Sequence, residues 1–104
     1  MSTKNYLFSY GSLQNYEIQI ALYNRKLVGF EAILFGYKIS KQKIEGQYLI
    51  IYQTQDLNDR ITGMVYEISD DELLKTDDYE GDFYKRVQIK LESGITAWCY
   101  VMQK

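Results

Sequence analysis

Residues 61–68, ITGMVYEI, are almost continuously apolar and lead without a break into Ser69-Asp70-Asp71-Glu72. A short apolar run rich in β-branched residues and bounded in this way reads as a central strand. The serine with a glutamate three places later reads as a capping box, and acids in the first turn suit the positive end of a helix. Together they predict a buried strand followed by a helix over roughly 70–80, ending at Gly81, a natural left-handed residue just past a helix end.

The rest of the chain is organised around that pair. NYLFSY at 5–10 reads as a first strand. Leu13, Tyr16, Ile20, Tyr23 and Leu27 step by three and four, one face of a helix. FEAILFGYKI, punctuated by Gly29 and Gly36, and QYLIIYQ at 47–53 read as strands, the second followed by a polar loop, TQDLNDR. Tyr84–Glu92 and Ile95–Met102 are predicted as two strands joined by a Ser93-Gly94 turn. In the first of these, Val87, Ile89 and Leu91 share one face and Arg86, Gln88 and Lys90 the other. Five or six strands, taken as sequential and antiparallel, with two helices to one side make an α+β domain spanning 1–104. A small curled sheet or barrel is the economical way to hide its edges.

Composition narrows the function. A chain of 104 residues, 46% hydrophobic, suits one domain with one core. Its one cysteine, Cys99, permits no internal disulfide, which fits a reducing compartment. No run of ~20 apolar residues and no signal-peptide pattern is present, so a soluble, cytoplasmic protein without a membrane partner is expected. The net charge of −2 gives no footprint for nucleic acid. The basic cluster Lys38, Lys41 and Lys43 reads as a solvated loop. The eleven tyrosines read mostly as strand-face packing whose hydroxyls reach water or a partner.

Histidine is absent. That excludes Ser-His-Asp and Cys-His mechanisms and histidine-ligated metals, and neither a metal nor a cofactor is expected. Any proton moved near neutral pH must be carried by a carboxylate, a lysine or a tyrosine. Most of the carboxylates have structural explanations: Asp70, Asp71 and Glu72 cap a helix, and Glu17 and Glu92 occupy ordinary exposed positions. Glu80 has none. It sits at the predicted helix C-terminus, where the dipole disfavours an anion by roughly 0.3–1 kcal/mol. Asp77, Asp78 and Asp82 crowd it in sequence, so a raised pKa is expected. A tolerated surface acid beside a glycine cap is the competing account.

Tyr10-Gly11-Ser12-Leu13 also has two accounts. Either Ser12 caps the following helix and Gly11 supplies turn geometry, or the same turn aims free N–H groups at an anion. Tyr84 and Arg86 are site or surface residues. Cys99 is expected to be buried and inert, Trp98 and Tyr100 to pack, and Lys75 and Lys85 have no feature to mark them as nucleophiles.

LFSYGSL, ITGMVYEIS and DDYEGDFYKRVQI together resemble the γ-glutamylcyclotransferase-like superfamily. The nearest branch is its small members, γ-glutamylamine cyclotransferase and related short bacterial proteins. The resemblance rests on Tyr-Gly-Ser-Leu, Asp-x-x-Glu-Gly and Tyr-x-Arg, in order along most of the chain. It implies a small mixed, mostly antiparallel β-barrel with flanking helices. It also implies that Tyr10, Gly11, Ser12 and Leu13 bind the α-amino acid end of a γ-glutamyl group, with Tyr84 beside them, and that Glu80 is the acid/base. The reaction so implied closes the substrate's α-amine onto its γ-carbonyl, giving 5-oxoproline and a free amine or amino acid. The partner is then a small-molecule γ-glutamyl substrate. One departure from many relatives is Thr76 where leucine precedes the motif's aspartate. Alternatives are a non-catalytic binding module for a γ-glutamyl-like or other small carboxylate metabolite, and a partner-binding domain with a tyrosine-rich surface.

Overall fold

The apolar run at 61–68 is the inner part of a ten-residue strand in the computed structural model, which describes residues 4–40 and 49–102. This strand, β5 (Arg60–Ser69), lies between β1 (Lys4–Ser9) and β2 (Gly29–Phe35) and is antiparallel to both. β6 (Tyr84–Lys90) and β7 (Thr96–Met102) form the expected hairpin around Gly94, whose φ is 91°. The five strands are ordered β2-β5-β1-β7-β6. They are not arranged in sequence order, because β7 docks parallel against β1, with Leu7 opposite Trp98. One parallel pairing in an otherwise antiparallel sheet makes the α+β fold mixed, mostly antiparallel.

The remaining strands, β3 (Tyr37–Ile39) and β4 (Ile51–Gln53), form a separate two-stranded ribbon. Gly36, at φ 80°, separates β2 from β3 and turns the chain out of the main sheet. The expected barrel is not closed by strand pairing among the described residues: β2 and β6 are the two edges, bridged by one backbone bond just past β6, from the Glu92 N–H to the Ile33 carbonyl at 3.0 Å. Lys38 faces Asp59 at 3.8 Å, and Lys41 and Lys43 lie outside the described residues. So do residues 47 and 48 of the QYLIIYQ segment. Among the described residues no helix is long and apolar enough to cross a membrane.

β1 is buried on both faces, and alternation sends its side chains to two different cores. Phe8 joins Leu34, Ile61, Val65, Ile89 and Cys99 on the face covered by the ribbon, where Ile51 packs. Leu7 joins Leu13, Tyr23, Leu27, Ile68, Leu73 and Tyr100 on the face that carries the helices. Cys99 is fully buried, and burial pushes its thiol up to about 12, as suits an inert core residue.

Helix α1 (Tyr16–Tyr23) is shorter than the apolar stripe implied. Asn15, not Ser12, is its cap, with a side chain that accepts from the Glu17 and Ile18 N–H groups. Asn24, at φ 58°, ends it in the left-handed region. Leu13 therefore precedes the helix on a 3-10 turn, Ser12–Gln14, and Leu27 follows it, while Tyr16 is 58% exposed. The buried helical positions are Tyr23 and Gln19, a polar residue hidden from an apolar-period reading. Both ends of its amide are engaged: Nε2 donates to the Leu13 carbonyl at 2.8 Å and Oε1 accepts from the Leu27 N–H at 2.9 Å.

Helix α2 (Asp70–Glu80) has the bounds expected, with both hydrogen bonds of the capping box formed. Gly81 follows it at φ 72°, as a glycine should, but with ψ −165° its backbone is extended and not left-handed helical. Glu72 also receives the fork of Arg25, at 2.7 and 2.8 Å, which holds its carboxyl below the usual range and ties α2 to the chain just after α1. Thr76, the departure noted above, is fully buried between the helices. Its hydroxyl donates to the Glu72 carbonyl and accepts from the Tyr23 hydroxyl. Thr76→Val keeps the volume and leaves Tyr23 without this partner. It is expected to cost about 1–3 kcal/mol in chemical denaturation.

Candidate active site

β1 ends at Ser9, in the middle of the sheet, and the chain then turns sharply through Tyr10 and Gly11 into the 3-10 turn. The turn is braced from every side. Gln14 Nε2 donates to the Ser9 carbonyl at 2.7 Å, and the Tyr10 hydroxyl donates to the Tyr100 carbonyl at 2.6 Å. Gln14 N–H closes onto the Gly11 carbonyl, and Gln19 occupies the Leu13 carbonyl. The backbone N–H groups of Ser12 and Leu13 meet no acceptor among the described residues, as expected at the start of a helical turn. Carbonyls are used and N–H groups are left over. Such a turn favours an anion.

Gly11 has φ −141°, so its role is not a left-handed backbone. A Cβ built there would meet only Leu49 Cδ1, at 4.0 Å. What the missing side chain leaves open is space in front of the turn. Ser12 does not cap α1; its Oγ lies 2.8 Å from the Tyr79 hydroxyl and links the turn to α2.

That space is a cavity of about 490 Å³, lined by Ser9 to Leu13 and by Tyr79, Glu80, Phe83, Tyr84 and Tyr100, with Phe8 and Leu49. All six residues singled out in the sequence, Tyr10, Gly11, Ser12, Leu13, Glu80 and Tyr84, border it. Tyr84 donates its hydroxyl to the Leu49 carbonyl. Burial keeps the Tyr10 hydroxyl above the usual tyrosine range, hence neutral. Among the described residues no three His, Cys, Asp or Glu side chains cluster where they could hold a metal ion.

Glu80 is the last residue of α2. Burial raises its carboxyl from 4.5 to about 7. Its neighbours in sequence contribute less than expected: Asp78 and Asp82 are exposed, and Asp77 is engaged by Arg86 and Tyr100. The direction agrees with the sequence argument, but the cause is loss of water. No hydrogen-bond or ion-pair partner holds the Glu80 carboxyl among the described residues. It is a half-buried acid that borders a cavity, with no cation to neutralise it among the described residues, the condition expected of a functional carboxylate.

The sequence reading missed Tyr79, Phe83, Leu49 and Tyr100 as cavity residues. Tyr79 and Phe83 flank Glu80 closely and are 40% and 52% exposed, so a search for aromatic residues around the unexplained acid would have found them. Leu49 comes from a distant segment, and no local signal marks it.

A protein-family model described as "Gamma-glutamyl cyclotransferase, AIG2-like" matches residues 7–104. The chain belongs to this family. Solved structures agree with the γ-glutamyl cyclotransferase fold. An Arabidopsis thaliana protein studied in solution superposes with a TM-score of 0.79 at 24% identity, over 96% of this chain and 62% of its own. An uncharacterized protein from Homo sapiens gives 0.77 at 24% identity, over 97% of this chain and 68% of its own. A structure named gamma-glutamyl cyclotransferase gives 0.75 at 22% identity, over 98% and 68%. The chain thus spans somewhat under two thirds of the Arabidopsis protein and about two thirds of the other two. No curated protein matches the sequence.

Proposed function

We propose that this member of the γ-glutamyl cyclotransferase family is an enzyme that cyclises a γ-glutamyl amine or peptide to 5-oxoproline, with Glu80 as general acid/base. The observation that carries the reading is one cavity bordered by both a half-buried Glu80, unpaired among the described residues, and the open N–H groups of the Tyr10–Leu13 turn. The substrate's α-carboxylate sits on the Ser12 and Leu13 N–H groups, and Tyr84 walls the γ-glutamyl chain. This places the α-ammonium beside Glu80.

In its ionised form Glu80 takes a proton from the α-ammonium. The freed amine attacks the γ-carbonyl carbon and closes a five-membered ring. The bond from that carbon to the leaving nitrogen then breaks as Glu80 returns the proton to it. The second proton of the ring nitrogen follows, and the leaving group departs as an ammonium ion. Attack is intramolecular, so holding the substrate folded supplies much of the rate. A carboxyl near pKa 7 can both accept and return a proton at neutral pH, a part that histidine plays elsewhere and that this histidine-free chain gives to Glu80.

The test is 5-oxoproline release from a panel of γ-glutamyl amines and γ-glutamyl dipeptides. Product from at least one of them, linear in enzyme concentration, is expected. A panel in which every compound is inert overturns the proposal, and thermal stabilisation without product would point to a binding module.

A further inference from the structure

One residue of the Tyr-x-Arg motif has no place in the cavity. Arg86 does not line it. It lies on β6, with its guanidinium 4.4 Å above the Trp98 ring and its Nε 3.1 Å from Asp77 Oδ1. Both partners are partly shielded, with side-chain exposures of 25% and 34%, so the pair is not an ordinary surface contact. The same Asp77 oxygen accepts the Tyr100 hydroxyl at 2.6 Å, and the Asp77 carbonyl accepts the Gly81 N–H at 3.1 Å.

Asp77 is thus a junction. Its side chain is fastened to β6 and β7, and its backbone closes the last turn of α2, the turn that carries Glu80. That turn needs fastening. It holds no basic residue, and the acids Asp77, Asp78 and Glu80 oppose the negative end of the helix dipole. Helix ends fray when nothing outside the helix holds them. Among the described residues, the one other side-chain tether on this turn is the Tyr79–Ser12 contact, which is exposed. Tyr100 extends the network to the binding turn, because its carbonyl accepts the Tyr10 hydroxyl.

We propose that Arg86 is a positioning residue, which acts through Asp77 to fix the final turn of α2 and so sets where the Glu80 carboxylate stands against the Tyr10–Leu13 turn. The planar guanidinium suits this role: it stacks on Trp98 while one edge meets the carboxylate, which a lysine ammonium cannot reproduce. The proposal rests on the cyclotransferase reading, and its test separates the two.

The informative variants are Arg86→Met, which keeps an apolar stem over Trp98, and Asp77→Asn, which keeps the shape and can still accept from Tyr100. Each is expected to lower kcat about tenfold or more, with KM changed less than about twofold. The double variant should be no worse than Arg86→Met alone, because both changes break one connection. Amide hydrogen exchange at Asp78–Gly81 should accelerate about tenfold or more, while β1 amides keep their protection. Arg86→Lys should recover only part of kcat. A fall in Tm with kcat and exchange at Asp78–Gly81 unchanged overturns the proposal, as do losses that multiply in the double variant. If Arg86→Met does not fold, Asp77→Asn carries the same test alone. An inactive wild-type enzyme would instead refute the cyclotransferase reading, and the exchange experiment would still decide whether Arg86 fixes the turn.

Discussion

Glu80→Gln is expected to lower 5-oxoproline release by roughly 10²–10⁴-fold, the span typical of losing a general acid/base. The substitution keeps the size of the side chain and the cavity around it, so KM should change little. In the wild-type enzyme kcat/KM should rise with pH through a limb near pH 7, where the Glu80 carboxyl, raised by burial, becomes the base. The limb should vanish from any residual activity of the variant. Steady-state rates from pH 5 to 9 check both statements. A Glu80→Gln enzyme of full activity would remove Glu80 from the mechanism.

The same substitution is expected to stabilise the fold above neutral pH. In the folded chain the Glu80 carboxyl titrates at about 7 against an ordinary value of 4.5. Between those two values the folded state keeps a proton that the unfolded state has lost. Stability from this group is therefore full below pH 4.5, falls as pH rises, and is lost above about 7. At roughly 1.4 kcal/mol for each tenfold change in protonation equilibrium, the full effect is about 3 kcal/mol. Water reaching the carboxyl through the cavity lowers the expected gain for Glu80→Gln at pH 8 to about 1–3 kcal/mol. At pH 4 the two proteins should unfold at nearly equal denaturant concentrations. The depressed Glu72 acts in the opposite sense, but it is present in both proteins and cancels from the difference. Urea midpoints at pH 4 and 8 provide the measurement, and equal midpoints at pH 8 would show that Glu80 is not held under strain by burial.

Legibility in the sequence followed the range of the interactions involved. The capping box that starts α2, the Gly94 hairpin and the central strand β5 are set by neighbouring residues, and each reads directly. The start of α1 did not, because Asn15 and Ser12 are both good caps and only the bracing by Gln14 and Gln19 selects the later one. That β2 and β6 do not pair as strands among the described residues was equally hidden: strand patterns record burial, whereas closure depends on partners distant in sequence. For the site, Glu80 stood out because capping could not explain it. Its sequence neighbours, however, were the wrong reason for its pKa, since burial by the cavity walls is a property of the folded chain alone. Arg86 was visible as a motif residue, but its connection to Asp77 appears only when β6 lies against the end of α2.

The parallel pairing of β1 with β7 has a consequence for how the protein is made. Tyr10 and the Tyr100 carbonyl that receives its hydroxyl are 90 residues apart. Contacts of such long range close slowly and late, because the loop between them must be ordered first. On the ribosome, β1 emerges long before β7 and waits with an unfilled edge until β7 arrives. During that interval β5 can cover one side of β1, while its other side is open to any strand that fits. A nascent chain halted before β7 would carry all three sequence motifs and still lack Tyr100, which walls the cavity and braces its turn.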